Sequence, residues 1–115
     1  MMALVRVSAL PEGALDSAAA FHAEMLPQVR AALAASGEDL VLAFEPADHE
    51  HRGWRLAAVQ QLAREHAPRR VNAIESDDEE AIAAALSYID RAPGLTGQLL
   101  RLDRNGADGL LSSAS

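Results

Sequence analysis

Apolar runs alternate with helix-like segments along most of the chain. Short runs of apolar residues occur at 3–7, 40–44, 70–74 and 98–102. The segments between them carry apolar residues at helical spacing. This alternation is typical of a parallel sheet whose strands are joined by crossover helices. The pattern therefore predicts the element order β-α-β-α-β-α-β.

The first predicted helix covers residues 16–36. Asp16 is a candidate N-cap, and Gly37 is a natural C-terminal end for the helix. Because the ring of Pro27 removes a backbone N–H inside this segment, we expect a kink or a break there. The apolar stripe predicts these inward-facing residues: Phe21, Met25, Leu26, Val29 and Leu33.

Two further helices are predicted downstream. One covers residues 52–66 and ends before Pro68. The other begins at Ser76, which forms a capping-box pattern with Glu79. The expected inward positions in these two helices are Leu56, Val59, Leu62, Ala63, Ile82, Ala85, Leu86 and Ile89.

The four predicted strands differ in polarity. The run at 40–44 has no polar residue, as in a strand that is buried on both faces, whereas the first and fourth runs contain Arg6 and Arg101. We expect the second strand inside the sheet and the other two toward its edges. The predicted class is α/β: a small open parallel sheet of about four strands with three crossover helices, half of a Rossmann-like fold. A single domain over residues 1–115, with a loose tail from about residue 104, completes this prediction.

Composition excludes several functions. The 115 residues include no cysteine, which excludes disulfides and thiolate catalysis, and no lysine, which excludes Schiff-base chemistry. The formal charge of -7 argues against nucleic acid as a partner. Arg6, Glu12 and Asp16 interrupt the apolar N-terminal residues, which argues against a signal peptide or a membrane span. We expect a cytoplasmic protein that binds neither nucleic acid nor membrane.

Three segments resemble the short-chain dehydrogenase/reductase family. Residues 62–74 (LAREHAPRRVNAI) resemble the end of its active-site helix and the following strand. Residues 81–89 (AIAAALSYI) and 95–103 (LTGQLLRLD) resemble its last helix and last strand. Residues 1–60 align more loosely with its fourth strand, long interface helix and fifth strand. The resemblance implies the C-terminal half of such an enzyme, with a Rossmann-like fold.

The residues that carry that family's chemistry have no counterpart here. The resemblance places the family's catalytic Tyr-x-x-x-Lys near Asp48 and Arg52, and its catalytic serine near Phe44 or Glu45. The Pro-Gly that lines the family's nicotinamide pocket is replaced by Glu75–Ser76. No Gly-x-Gly-x-x-Gly sequence, which would approach a pyrophosphate, occurs in the chain. The resemblance therefore implies a degenerate dehydrogenase with no catalytic residues and no bound cofactor.

The loop after the second strand holds the most suggestive side chains. Asp48, His49 and His51, with Glu45, are residue types that bind zinc or nickel. Adjacent loop residues seldom converge on one ion, so we favour solvated loop residues and assign no metal site. Glu45 and Glu75 each follow a strand and are expected at the same sheet edge. A carboxylate pair of Glu45 and Asp48 for acid–base catalysis has no accompanying nucleophile or oxyanion hole.

The leading functional hypothesis is a non-catalytic module that self-associates or binds a protein partner. In the resembled family, the helices that match 16–36 and 52–66 form the dimer interface. A half sheet also leaves the strand at 3–7 without its usual neighbour. We expect a homodimer through those helices or through that sheet edge. The open alternatives are a degenerate oxidoreductase subunit completed by a cofactor-binding chain, and a small-molecule or metal-binding protein that uses loop 45–52.

Overall fold

Four strands form one parallel sheet in the computed structural model, which describes residues 2–102. They are β1 (Met2–Val7), β2 (Asp39–Phe44), β3 (Val71–Glu75) and β4 (Leu99–Arg101). The order across the sheet is β1-β2-β3-β4, and each neighbouring pair is parallel. The predicted α/β class and half Rossmann-like sheet are confirmed, with β2 inside and β1 and β4 at the edges. The predicted tail from about residue 104 lies outside the described residues.

Three helical segments join the strands. The first consists of α1 (Ala14–Ala20), a π-helical segment (Phe21–Met25) and α2 (Leu26–Ser36). The second is α3 (Arg52–His66), which follows a 3-10 turn at His49–His51, and the third is α4 (Glu79–Asp90). None of the helices within residues 2–102 is long and apolar enough to cross a bilayer.

The two faces of the sheet are covered unequally. Leu40, Leu42 and Phe44 of β2 pack in the larger core cluster, which includes residues of the first helical segment and α3. Val41 and Ala43 pack in the smaller cluster beneath α4. All five side chains are buried, which explains why residues 40–44 of this strand include no polar residue. Covered faces on both sides are what a parallel sheet requires.

The first helical segment passes Pro27 without a break. Its backbone widens into the π-helical segment just before the proline, and Leu26 donates its N–H to the carbonyl of Phe21. Pro27 then lies in the first turn of α2, where a missing N–H costs no hydrogen bond. The expected kink is therefore a change of helix type. Gly37 adopts the left-handed conformation at φ 67° and ends α2, as predicted.

Two predicted caps were wrong. The carbonyl of Gly13 accepts the N–H of Ser17 at 2.8 Å, so α1 already begins at Ala14 and Asp16 lies in its first turn. The N-cap of α4 is Asp78, whose side chain accepts the N–H of Glu80 at 3.0 Å. The N–H of Ser76 still donates to the carbonyl of Phe44 in the sheet, and its Oγ accepts the N–H of Asp78 at 3.0 Å rather than that of Glu79. The expected Ser76–Glu79 capping box is therefore absent.

Candidate functional site

A cavity of about 510 Å³ lies at the carboxyl ends of β1 and β2. Open α/β sheets bind their ligands at this edge. The wall combines the loop after β1, the loop after β2, and the first turns of α1 and α3. Its lining residues are Val7, Leu10, Pro11, Glu12, Ser17, Glu45, Pro46, Ala47, Asp48, His51 and Arg55.

Two contacts fix the loops that form the cavity. The N–H of Ala9 donates to Oε1 of Glu45 at 3.0 Å, which joins the loop after β1 to the loop after β2. Ala9 has φ 60°, a left-handed conformation that is uncommon for a residue with a Cβ. His51 Nε2 bonds the carbonyl of Glu12 at 2.8 Å and ties the first loop to the start of α3.

His51 is a structural residue of this cavity. Its ring is buried, and both ring nitrogens have partners within the chain. Nε2 donates to the carbonyl of Glu12, and Nδ1 accepts the indole N–H of Trp54 at 3.2 Å. These partners require the neutral ring with its proton on Nε2. Neither nitrogen has a free lone pair for a metal ion in this arrangement.

The other candidate metal ligands do not converge. Asp48, His49 and Glu45 are exposed, and Glu75 is buried. Glu45 and Glu75 do lie at the same sheet edge, as expected, but Arg55 lies between them and bonds both residues. Within residues 2–102, no group of three or more His, Asp and Glu side chains is arranged to hold a metal ion.

A buried ion pair closes the sheet edge behind the cavity. Nη1 of Arg55 lies 2.6 Å from Oε2 of Glu75, and the two side chains are only 5% and 4% exposed. The same Nη1 donates to the carbonyl of Glu45 at 2.9 Å, and the guanidinium lies 4.6 Å from the ring centre of Phe44. Glu75 stands where the resembled family has a residue of the nicotinamide pocket, and here it holds an arginine.

Among residues 2–102, two buried polar atoms of residues that line the cavity lack hydrogen-bond partners. They are Oγ of Ser17 and Nε of Arg55, and both residues line the cavity. An unsatisfied buried donor is uncommon in a native structure and calls for an explanation. Sequence reasoning missed both residues. The sequence does give one indication for Arg55. It lies on the same helix stripe as Val59 and Leu62, where an apolar residue is expected, so a buried arginine is predicted there.

Asp48 and Arg52, near which the resemblance places the family's catalytic Tyr and Lys, are not brought together at the site. Asp48 lines the cavity and precedes the 3-10 turn. Arg52 is exposed and lies outside the cavity wall, and its Nη1 is 3.4 Å from the carbonyl of Leu99 in β4. The two side chains therefore do not share the cavity, and neither is a tyrosine or a lysine.

Asn72, within one of the resembling segments, has a structural role. Its side chain is buried, and Nδ2 donates to the carbonyl of Leu95 at 2.8 Å. Its Oδ1 accepts the N–H of Gln98 at 3.1 Å. These two bonds hold the segment before β4 against β3. The resemblance at this residue thus concerns the fold rather than catalysis.

Comparison with known proteins identifies the family. A family model described as "Short chain dehydrogenase-like protein" (SDR-like) matches residues 5–102. No curated protein and no solved structure matches the chain. The matched range includes the last three residues of β1, all of β2, β3 and β4, and every residue of the cavity wall. The chain belongs to the SDR-like family of short-chain dehydrogenase-like proteins.

Proposed function

We propose that this chain is a non-catalytic Rossmann-like module that self-associates through its edge strand β1. The proposal rests on the outer edge of β1, whose backbone groups have no neighbouring strand within residues 2–102. Within residues 2–102, β1 pairs with β2 alone, and Met2, Ala3, Leu4 and Val5 are only half-buried. A flat apolar edge with unpaired backbone groups is a template for pairing with another chain.

The strand is suited to pairing with a second copy of itself. In an antiparallel pair related by a two-fold axis perpendicular to the sheet, Leu4 lies opposite Leu4 of the other copy, and Met2 lies opposite Arg6. Arg6 carries no uncompensated charge, because its guanidinium bonds both carboxylate oxygens of Glu79 at 2.8 and 2.7 Å. Such a pair would join two sheets into one of twice the width.

The helix surface is the less favourable interface. Apart from Pro27 and Gly53, the exposed residues of α2 and α3 are polar side chains and alanines such as Ala31, Ala34 and Ala57. In the described part of the chain, Leu15 of α1 is the one large apolar side chain that is highly exposed. Alanines permit close helix approach but bury little apolar area, so we assign the homodimer to β1.

The absence of catalysis is proposed from the chemistry of the site. The resemblance places the family's tyrosine and lysine near Asp48 and Arg52, and neither of these residues supplies a phenolic proton or a lysine proton relay. Glu12, Glu45 and Asp48 add negative charge to the cavity wall, which disfavours a pyrophosphate. We therefore expect this chain alone to bind no nicotinamide dinucleotide.

The oligomeric state tests the interface. Light scattering coupled to size-exclusion chromatography at tens of micromolar should give a dimer for the natural sequence. Leu4→Arg should give a monomer with unchanged circular dichroism, because two arginines would face each other across the axis. Leu15→Arg, a control at an exposed leucine outside the edge, should remain dimeric. A monomeric natural protein would overturn the proposal, and a dimeric Leu4→Arg would move the interface to the helices.

A second candidate is an oxidoreductase subunit that a cofactor-binding chain completes at the same edge. Val7, the last residue of β1, lines the cavity, so a strand added beside β1 would end next to it. Co-purification from the native host should then recover a second chain together with a nicotinamide nucleotide, and Leu4→Arg should lose both. Recovery of homodimer without nucleotide favours simple self-association.

A further inference from the structure

The ring of His51 makes two hydrogen bonds that join different parts of the cavity wall. Nε2 donates to the carbonyl of Glu12, in the loop after β1, at 2.8 Å. Nδ1 accepts the indole N–H of Trp54, in the first turn of α3, at 3.2 Å. Since one rigid ring makes both bonds, a movement of the ring that breaks one of them also disturbs the other.

These two bonds depend on the charge of the ring. A neutral imidazole donates from one nitrogen and accepts at the other, whereas a protonated imidazole donates from both. In a protonated His51, the N–H at Nδ1 would face the indole N–H of Trp54, and the two donors would have no acceptor between them. The ring is only 7% exposed, so water does not readily replace the lost acceptor. Protonation therefore favours an arrangement in which His51 and Trp54 separate.

Trp54 is held more firmly than His51. Its indole packs against Phe21 and Phe44, with ring centroids 5.4 and 5.7 Å away, and both phenylalanines are fully buried. His51 instead belongs to the short 3-10 turn that precedes α3. We therefore expect the imidazole to move while the indole stays in place. When the imidazole moves, the carbonyl of Glu12 loses its donor.

The charged groups of the surrounding elements direct that movement. The guanidinium of Arg55 lies 5.7 Å from the ring centre of Trp54 and repels a second positive charge there. The loops after β1 and β2 contribute exposed carboxylates to the wall, and these attract such a charge: Glu12, Glu45 and Asp48. From the first helical segment, Ser17 of the wall is uncharged, and His22 contacts Trp54 with ring centroids 6.5 Å apart. A charged His51 ring is therefore drawn away from Trp54 and toward the exposed rim of the cavity.

We infer that His51 is a pH-sensitive switch in the cavity wall. The neutral ring bonds Glu12 and Trp54 and holds the loop after β1 against the start of α3. As pH falls from about 8 to about 5, the range in which histidine gains its charge, the ring leaves Trp54 and releases that loop. The closed arrangement binds one proton fewer, so it is favoured at high pH and lost as pH falls. The inference does not depend on self-association, because the wall belongs to one copy of the chain.

Nuclear magnetic resonance of the ¹⁵N-labelled protein tests the bond between His51 and Trp54. The chain contains one tryptophan, so the indole N–H of Trp54 gives a resonance of its own. Between about pH 8 and about pH 5, this resonance and the ring nitrogens of His51 should shift together, with one shared midpoint. His51→Gln supplies an amide that donates and accepts but gains no charge, so the indole resonance should become independent of pH. His22→Gln, the matched control, changes an exposed histidine beside the same indole and should retain the shift.

Release of the loop is measured with a fluorescent label. The chain has no cysteine, so Glu12→Cys provides a single attachment point for bimane in the loop after β1. The substitution leaves the backbone carbonyl at this position, which is the group that His51 bonds. Tryptophan quenches a bimane group held close to it, so the emission of the labelled protein should rise as pH falls. In the double variant Glu12→Cys, His51→Gln, the emission should stay constant.

Several outcomes would reject the switch. An indole resonance that stays constant over this pH range, or that shifts equally in His51→Gln and His22→Gln, would overturn the inference. A shift of the indole resonance without a rise in bimane emission would show that the ring turns without releasing the loop, and would also reject it. If His51→Gln fails to fold, the shared midpoint of the His51 and Trp54 resonances in the natural protein still decides. The Leu4→Arg monomer should show the same shift, which separates this inference from the proposed dimer.

Discussion

Glu75 determines the electrostatics at the carboxyl end of β3. In the register of the sheet it lies beside Phe44, whose ring contacts the guanidinium of Arg55. Both charged groups are removed from water, so each depends on the other for compensation. Nε of Arg101 is a further cationic atom 3.7 Å from Glu75. The Arg55–Glu75 ion pair therefore influences the charge at this sheet edge more than His49 or His51 of the loop after β2.

Breaking this pair on one side should be costly. Glu75→Gln leaves the buried Arg55 charge uncompensated and should lower the free energy of unfolding by about 3–5 kcal/mol. The double variant Arg55→Met, Glu75→Leu removes both charges and should lie within about 1 kcal/mol of the natural protein. Urea denaturation measures both values. A single variant as stable as the double variant would show that the pair is not effectively desolvated.

Asp39 provides a pH-dependent contribution. Burial alone would raise the pKa of its carboxyl, but bonds from the backbone N–H and side chain of Arg70, with the charge of Arg70, lower that pKa overall. A lowered folded-state pKa stabilises the fold above the unfolded-state value near 3.8, and this stabilisation is lost as pH falls through the folded-state pKa.

Asp39→Asn should reveal that contribution. At pH 7 the variant should lose about 1 kcal/mol of unfolding free energy, because a charge-assisted hydrogen bond becomes neutral. At pH 3, where the natural carboxyl is itself largely protonated in the unfolded chain, the difference should shrink. Urea midpoints at the two pH values measure it. A difference that stays constant with pH would contradict this interpretation.

Among the elements, helix starts were harder to predict than helix bodies. The stripes of buried residues follow from local spacing, and Val29, Leu33, Ile82 and Ile89 are buried as expected. The start of α4 instead depends on where the chain leaves the sheet after β3. The N–H of Ser76 still donates to the carbonyl of Phe44 in β2, so the helix begins later than the local pattern predicts. That contact is tertiary, so the local Ser-x-x-Glu pattern does not reveal it.

The position of this cap can be tested with adjacent acidic residues. Asp78→Ala should lower the unfolding free energy by about 1 kcal/mol because the N–H of Glu80 loses its acceptor. Asp77→Ala removes the same charge from a neighbouring exposed position and should change stability by less than about half as much. Thermal unfolding of both variants measures this. Equal effects would assign the stabilisation to charge near the helix end rather than to the cap.

The two helix-associated glycines should respond oppositely to alanine. Gly37 has a positive φ at the end of α2, so Gly37→Ala should cost about 1 kcal/mol. Gly53 lies inside α3 with open space around its Cα, so Gly53→Ala should be neutral or stabilise by up to about 1 kcal/mol. Urea denaturation of the two variants compares them. A stabilising Gly37→Ala would contradict the left-handed end of α2.

For the whole molecule, strand order could be predicted and the cavity only in part. The polarity of the runs placed β2 inside the sheet, and the loop after β2 lines the cavity at its carboxyl end. Ser17 and Arg55 escaped prediction because both lie on helices, where spacing alone cannot distinguish a core position from a cavity wall. Their places in the wall depend on how α1 and α3 meet the ends of β1 and β2, which is a property of the assembled fold.

Hydrogen exchange should show whether the β1 edge is covered in solution. The central strands β2 and β3 should exchange slowest, because their backbone groups are bonded on both sides. In the proposed dimer, amides of β1 gain partners from the second copy, while β4 at the opposite edge gains none. Dilution from tens of micromolar to submicromolar protein should therefore accelerate exchange in β1 and leave β4 unchanged. In Leu4→Arg, the amides of β1 should exchange rapidly at every protein concentration. If the exchange rates of the β1 amides in the natural protein do not change with concentration, self-pairing at this edge is excluded.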